Sequence, residues 1–200
     1  ACPPYTTGNL GLDLGFAVGD VSGKGVPASL VMSTLQSSFL AESSAHDDIA
    51  KVCERVNEFL VQRTTPERYA TFFAARLMAD GTLLYVNAGH NPPMLVRAGE
   101  VHRLSGGGLP LGLFRGCTYE LQKSELRPGD LLLVFTDGVT EANDPAENEF
   151  GEERLLEVVH ANIDADVRSL TEKVFAAVAE FSRGLHSPHD DITLLTVRRH

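Results

Sequence analysis

Apolar positions in the first part of the chain predict a strand followed by a helix. From Leu12 to Asp20, larger apolar residues alternate with smaller ones, which is the period of a half-buried strand. A Gly-Lys-Gly turn follows, and Pro27 suits the first turn of a helix. The residues predicted to share the buried side of that helix are Leu30, Val31, Leu35, Phe39 and Leu40.

A second helix is predicted to begin near Asp47 and Asp48, because acidic residues stabilise a helix N-terminus. Its predicted buried residues are Ile49, Val52, Val56, Phe59 and Leu60.

The period then changes to that of strands. Short β-prone segments separated by turn sequences lie at 70–78, 83–87, 94–97 and 101–104. They predict a meander of antiparallel strands. Two more strands are predicted after the three glycines at 106–108, and they lie at 118–121 and 131–135.

Helical spacing returns at 152–159 and 167–181, and a closing strand is predicted at 192–197. Helices on either side of a strand block predict an α+β layered sandwich, since no alternating strand-helix-strand order is present. We expect a single domain over residues 1–200, in which 1–10 form an irregular leader or a truncated end.

Composition narrows the function. A net charge of −10 disfavours nucleic acid as a partner, because polyanions are repelled. The three cysteines are odd in number and far apart, which favours a reducing cytoplasm over a disulfide framework. The apolar runs are far shorter than the ~20 residues of a membrane helix, so no membrane association is expected.

Acidic residues stand at the ends of three apolar strands. Asp20 ends the first strand, Asp137 follows the strand at 131–135, and Asp190 with Asp191 precedes the last one. If these strand ends converge, they form a carboxylate cluster suited to Mg²⁺ or Mn²⁺. Each acid alone is also compatible with an ordinary turn or cap.

Four ordered motifs complete the sequence evidence. They are Phe-Ala-Val-Gly-Asp-Val-Ser-Gly-Lys-Gly at 16–25, Asn-Ala-Gly-His-Asn-Pro-Pro at 87–93, Phe-Thr-Asp-Gly-Val-Thr-Glu-Ala at 135–142 and Asp-Asp-Ile-Thr-Leu at 190–194. With them the chain resembles the PPM (protein phosphatase 2C) type of metal-dependent phosphatase, in its SpoIIE/RsbU-like branch. The resemblance implies a four-layer α-β-β-α sandwich of two antiparallel sheets flanked by helices.

The resemblance also implies a site with two Mn²⁺ or Mg²⁺ ions. Asp20 would bridge both ions and the carbonyl of Val21 would bind one of them. Asp137 and the Asp190–Asp191 pair would complete the second ion's ligands, with Asp190 preferred over Asp191. The catalytic set is then Asp20, Asp137 and Asp190, which hold the metals that activate a water for attack on phosphoserine or phosphothreonine.

The family also suggests partners. The substrate would be a phosphorylated STAS-type antagonist of an anti-sigma factor. The branch often works as a homodimer, with residues 27–62 as its regulatory helices, and is commonly attached to a sensor domain.

Several alternatives accompany this interpretation. The glycines around Lys24 do not fit a nucleotide-binding P-loop, because their spacing is too short and Gly25 replaces the required Ser or Thr. His90 is either a structural turn residue or a general acid. Cys53 and Cys117 are interpreted as buried small apolar residues.

The branch usually carries a Gly-Gly-Asp-(aromatic)-Tyr-Asp segment before the first motif, and residues 1–15 contain only Asp13 there. A second hypothesis is therefore a regulatory or binding module that keeps the fold but is catalytically weak or inactive.

Overall fold

The computed structural model describes residues 13–65, 67–184 and 191–200. Its strands are β1 (Leu14–Val21), β2 (Ala70–Leu77), β3 (Thr82–Ala88), β4 (Met94–Arg97), β5 (Glu100–Arg103), β6 (Gln122–Glu125), β7 (Leu131–Phe135) and β8 (Leu194–Arg198). Its helices are α1 (Val26–Ala45), α2 (Ile49–Val61), α3 (Asp137–Thr140), α4 (Gly151–Ala161) and α5 (Val167–Phe181). No helix in these ranges is both long and apolar enough to cross a bilayer.

The chain groups into two compact units, each with one four-stranded antiparallel sheet. The N-terminal unit comprises 13–92 and 104–126, with strand order β1-β2-β3-β6 and helices α1 and α2. The C-terminal unit comprises 93–103 and the described part of 127–200, with order β5-β4-β7-β8 and helices α3 to α5. The predicted α+β class with two antiparallel sheets and flanking helices is confirmed, whereas a single domain over 1–200 stays a prediction.

The N-terminal unit buries one side of α2 against its sheet. Asp48 caps this helix as predicted, and its carboxylate accepts hydrogen bonds from the N–H groups of Ala50 and Lys51. Cys53, Val56 and Leu60 are completely buried. Phe59 was predicted to be buried but is 37% exposed, and the guanidinium of Arg63 lies over its ring.

The buried side of α1 is narrower than predicted. Val31 and Leu35 are buried, but Leu30 is 64% and Leu40 39% exposed. Each helical residue turns the chain by ~100°, which places Leu40 roughly opposite Val31 and Leu35 and Leu30 outside the buried side, ~100° from Val31. The prediction grouped residues by apolar character over too wide an arc.

The C-terminal unit has its own core beneath β7. All five residues of β7 are buried, and Leu131, Leu133 and Phe135 pack in one core cluster with apolar residues of α4 and α5. At the strand entrance, the carboxylate of Asp130 accepts hydrogen bonds from Arg97 Nε at 3.0 Å and Nη2 at 2.6 Å. Asp130 is only 3% exposed, so this is a largely buried ion pair.

The predicted single meander is wrong. β3 pairs with β2 and β6, whereas β4 pairs with β5 and β7. The chain leaves the first sheet at 89–93, where Pro92 and Pro93 have no N–H to continue a ladder.

Two strand predictions shift and one helix was missed. The strand predicted at 118–121 lies instead at Gln122–Glu125, an edge strand whose polar residues suit that position, while Tyr119 packs into the core. The closing strand is Leu194–Arg198 instead of 192–197. The single turn of α3 is too short to show helical periodicity.

Candidate metal centre

The end of β1 carries the first predicted ligands. Asp20 is half-buried and pairs with Thr71 of β2, and Val21 is 7% exposed and pairs with Ala70. The strand stops here because Gly23 and Gly25 adopt positive φ angles of 88° and 79°, which favour glycine. A side chain at Asp20 and a carbonyl at Val21 therefore stand where the backbone leaves the sheet.

The motif at 87–93 forms a tight turn beside β2. Asn87 Oδ1 accepts from the His90 N–H at 2.7 Å, and Asn87 Nδ2 donates to the His90 carbonyl at 3.0 Å. The imidazole Nδ1 lies 3.0 Å from Thr71 Oγ1, and His90 is 5% exposed. This arrangement matches the structural interpretation of His90.

A neighbouring glycine fixes the same turn. Gly107 has a φ of 137°, and a Cβ added there would lie 1.7 Å from the Asn87 carbonyl oxygen. Only glycine permits this approach of two backbone segments.

The end of β7 carries Asp137, the first residue of α3. Its carbonyl accepts from the Glu141 N–H at 2.7 Å. Its carboxylate oxygen Oδ1 is buried and has no hydrogen-bond partner within the described part of the chain. A buried carboxylate oxygen without a partner is costly, and a bound divalent cation would satisfy it.

Asp191 lies next to this strand end. Its carbonyl accepts a hydrogen bond from Thr136 Oγ1 at 3.0 Å, while the residue itself is exposed. Asp190, the preferred ligand, lies outside the described residues. The Asp191 backbone is thus hydrogen-bonded to Thr136, the residue that precedes Asp137.

Within 13–65, 67–184 and 191–200, no three or more His, Cys, Asp or Glu side chains are grouped to hold a metal ion. The ligand set of Asp20, Val21, Asp137, Asp190 and Asp191 therefore stays a prediction. The donor chemistry nevertheless fits a hard cation, because all these groups offer oxygen and Asp137 Oδ1 is a buried acceptor that no described residue satisfies.

Cys53 is not a nucleophile of this site. Burial, with smaller contributions from the charges of Glu54 and Asp48, raises the pKa of Cys53 to about 12, so it stays a thiol. Cys117 was predicted to be buried but is half-buried, and its Sγ donates to the Phe114 carbonyl at 3.3 Å.

Two hydroxyl residues of the site were missed from the sequence. Ser22 follows the Asp20-Val21 pair and Thr136 precedes Asp137, and both bond to the neighbouring chain segment. Their position beside an acid at a strand end was the only available signal, and Ser and Thr are too common in such places to be selected by it.

Known proteins place the chain in a family. The family described as Stage II sporulation protein E (SpoIIE) matches residues 11–200. Protein IcfG of Synechocystis is 29% identical over 93% of this chain and 34% of its own length. The phosphoserine phosphatase RsbU of Bacillus subtilis is 28% identical over 93% of this chain and 56% of its own length. The chain thus spans only part of both relatives.

Solved structures share the fold. The RsbU and RsbW domains of Rv1364c from Mycobacterium tuberculosis superpose with a TM-score of 0.79 at 28% identity, over 94% of this chain and 52% of that one. The SiaA-PP2C domain of Pseudomonas aeruginosa gives 0.83 at 20% identity, over 96% and 78%. The catalytic domain of the phosphatase PstP, solved with two manganese ions, gives 0.67 at 15% identity, over 92% and 86%. The predicted family is confirmed: the chain belongs to the SpoIIE family of PP2C-type phosphatases.

Proposed function

We propose that this chain is a metal-dependent phosphatase domain that hydrolyses phosphoserine or phosphothreonine on a protein. The observation that carries the proposal is the buried Oδ1 of Asp137 at the end of β7, which has no hydrogen-bond partner among the residues that the structure describes. In a member of a phosphatase family, a buried carboxylate oxygen without a hydrogen-bond partner in the described part of the chain supports a role as a metal ligand. The similarity to a phosphoserine phosphatase supports the reaction class.

The proposed ligands are the carboxylates of Asp20 and Asp137, the carbonyl of Val21 and one carboxylate of the Asp190–Asp191 pair. Asp190 is the preferred member of that pair. Two bound Mn²⁺ or Mg²⁺ ions would supply an activated water and would neutralise charge on the phosphoryl group. The role of the chain is to hold the oxygens of Asp20, Val21 and Asp137 at the ends of half-buried β1 and buried β7, whose ladder bonds to β2 and β8 restrict their movement.

The proposed substrate is a phosphorylated STAS-type antagonist of an anti-sigma factor, in signal transduction that regulates a sigma factor. This part rests on the resemblance to the RsbU-like branch. We further propose a cytoplasmic protein, a homodimer with α1 and α2 as regulatory helices, and a sensor domain in the parent protein. The net charge of −10 supports a protein substrate over nucleic acid.

Phosphate release tests the proposal. The purified chain is assayed with Mn²⁺ on a phosphorylated STAS protein and on p-nitrophenyl phosphate, beside Asp20→Ala and Asp137→Ala. Asp80→Ala is the matched control, since Asp80 lies in an exposed turn, where its carboxylate accepts from the Thr82 N–H. We expect activity in the wild type and Asp80→Ala and its loss in the other two variants and with chelator. Activity that survives both substitutions and the chelator contradicts the mechanism.

The second candidate is a phosphatase-fold binding module with weak or no catalysis. The lack of a three-acid cluster among the described residues is the observation that favours it. Calorimetry separates the candidates, because the enzyme predicts binding of two Mn²⁺ ions and the module predicts none.

A further inference from the structure

A hydroxyl group at the end of β1 makes a specific set of hydrogen bonds. The Ser22 N–H donates to the Tyr69 carbonyl at 2.9 Å and so extends the β1–β2 ladder by one bond. Ser22 Oγ accepts from the Tyr69 N–H at 3.0 Å and donates to the Glu67 carbonyl at 2.9 Å. The side chain thus bridges two residues of the segment that enters β2.

The end of β7 repeats this arrangement. The Thr136 N–H donates to the Thr193 carbonyl at 3.1 Å and extends the β7–β8 ladder. Thr136 Oγ1 accepts from the Thr193 N–H at 3.0 Å and donates to the Asp191 carbonyl at 3.0 Å. In both places the hydroxyl accepts from one residue and donates to the residue two positions earlier. We call each three-bond arrangement a hydroxyl clamp.

Each hydroxyl clamp adjoins residues proposed above as metal ligands. Ser22 directly follows Asp20 and Val21, and Thr136 directly precedes Asp137. The second clamp also holds the backbone of Asp191. The same bonds at two strand ends far apart in sequence argue against an incidental contact.

We propose that Ser22 and Thr136 are positioning residues that fix the proposed ligand oxygens for divalent cations. This inference rests on the proposed function. Ser and Thr are suited to the role because a hydroxyl both donates and accepts, whereas Val has the shape of Thr without either capacity. Groups that orient metal ligands typically contribute 10–100-fold to metal affinity.

Manganese affinity of the whole chain, measured by calorimetry, tests the C-terminal clamp. We expect Thr136→Val to raise the Kd for Mn²⁺ by about tenfold or more, and Thr136→Ser to restore it to within about threefold of wild type. Thr171→Val is the matched control. The Thr171 hydroxyl bonds to Val167 and Thr196 in the same unit, and the Kd of the variant for Mn²⁺ should equal that of wild type.

The N-terminal clamp is tested in the same way. Ser22→Ala should weaken Mn²⁺ binding by about tenfold, and Ser22→Thr, which keeps the hydroxyl, should not. Ser43→Ala, whose hydroxyl bonds only within α1, is the control. Melting without metal identifies variants that fail to fold, and if Thr136→Val is one of them, the Ser22 variants decide.

The outcomes separate the two proposals. If the wild type binds Mn²⁺ and both Thr136→Val and Ser22→Ala bind it equally well, the positioning role is overturned and the proposed function stands. If the wild type binds no Mn²⁺, the proposed function fails and this inference fails with it. Weaker binding in the hydroxyl-free variants, restored by Thr136→Ser and Ser22→Thr, supports the positioning role.

Discussion

The ends of β1 and β7 share one hydrogen-bond pattern but differ in their surroundings. Ser22 is half-buried, and the glycines that follow it have open space around them at Gly23 and Gly25. Thr136 is 2% exposed, and the chain continues into α3 with Gly138 and Val139 buried. One strand end opens into a solvated turn, and the other stays inside the core.

Because of this difference, the same hydroxyl hydrogen bonds are expected to contribute differently to stability at the two strand ends. A hydroxyl lost near water can be replaced by water, whereas a hydroxyl lost inside the core leaves its partners without hydrogen bonds. We therefore expect the Thr136 hydroxyl at the end of β7 to contribute more to stability than the Ser22 hydroxyl at the end of β1.

The largest expected effect comes from removing the proposed ligands themselves. Asp20→Asn should abolish binding of both Mn²⁺ ions, and Asp137→Asn should abolish only one, because Asp20 is the proposed bridge. Phosphatase activity should fall by more than about a hundredfold in each, since even outer partners contribute 10–100-fold. Calorimetric stoichiometry measures the difference. Equal stoichiometry in the two variants would contradict the assignment of Asp20 as the bridging ligand.

Next in size is the ion pair at the entrance of β7. Burial raises the pKa of the Asp130 carboxyl, but hydrogen bonds from Arg97 and the Arg127 N–H and the charges of both arginines outweigh it, so the net pKa lies below its usual range. The pair therefore contributes its full stability above the usual Asp pKa of 3.8 and loses it as the pH falls through the lower folded-state pKa.

Asp130→Asn should accordingly destabilise the protein by about 3 kcal/mol at pH 7, because it removes the charge of a buried carboxylate that is paired with Arg97. The gap from wild type should narrow as the pH falls below about 4. Urea unfolding over a pH series measures this. If the difference in free energy of unfolding between wild type and Asp130→Asn does not change with pH, the carboxylate charge does not stabilise the protein.

Unfolding of hydroxyl-free variants in chelator tests the comparison of the two strand ends directly. Thr136→Val should lower the free energy of unfolding by about 2 kcal/mol and Ser22→Ala by about 1 kcal/mol, since the former leaves shielded groups unpaired. The reverse order would show that burial does not distinguish the two hydroxyl clamps.

The smallest effect is expected in the glycine turn. Gly25 has a φ of 79° and no atom within 4 Å of an added Cβ, so Gly25→Ala introduces backbone strain without a clash. We expect a loss of about 1 kcal/mol. Gly15→Ala is the control, because this position in β1 is equally open but does not have a positive φ. If both variants are equally stable, the turn does not need its unusual backbone.

Local features of the fold were predictable from sequence. The period of apolar residues located β1, β7 and α5, and the acid at Asp48 located the start of α2. The pairing of distant strands was not predictable. For example, β4 pairs with β7 and not with β3, which precedes it in sequence. Nothing in residues 94–97 alone specifies that choice.

The same limit applies to the candidate site. Asp20 and Asp137 were identified because each stands at the end of an apolar strand, a local property. The hydroxyl clamps depend on partners up to 57 positions away, such as Thr193 for Thr136. Their partners follow from the β1–β2 and β7–β8 pairings, and the periodicity of one strand does not reveal which strand it pairs with.

The central question about this protein is whether the proposed ligands bind the same ions. The direct measurement is anomalous scattering from crystals of the chain soaked in Mn²⁺. We predict two manganese peaks, both bonded to the carboxylate of Asp20, with Asp137 and Asp190 or Asp191 on one of them. Crystals without such peaks, or with manganese that touches neither Asp20 nor Asp137, would contradict this prediction.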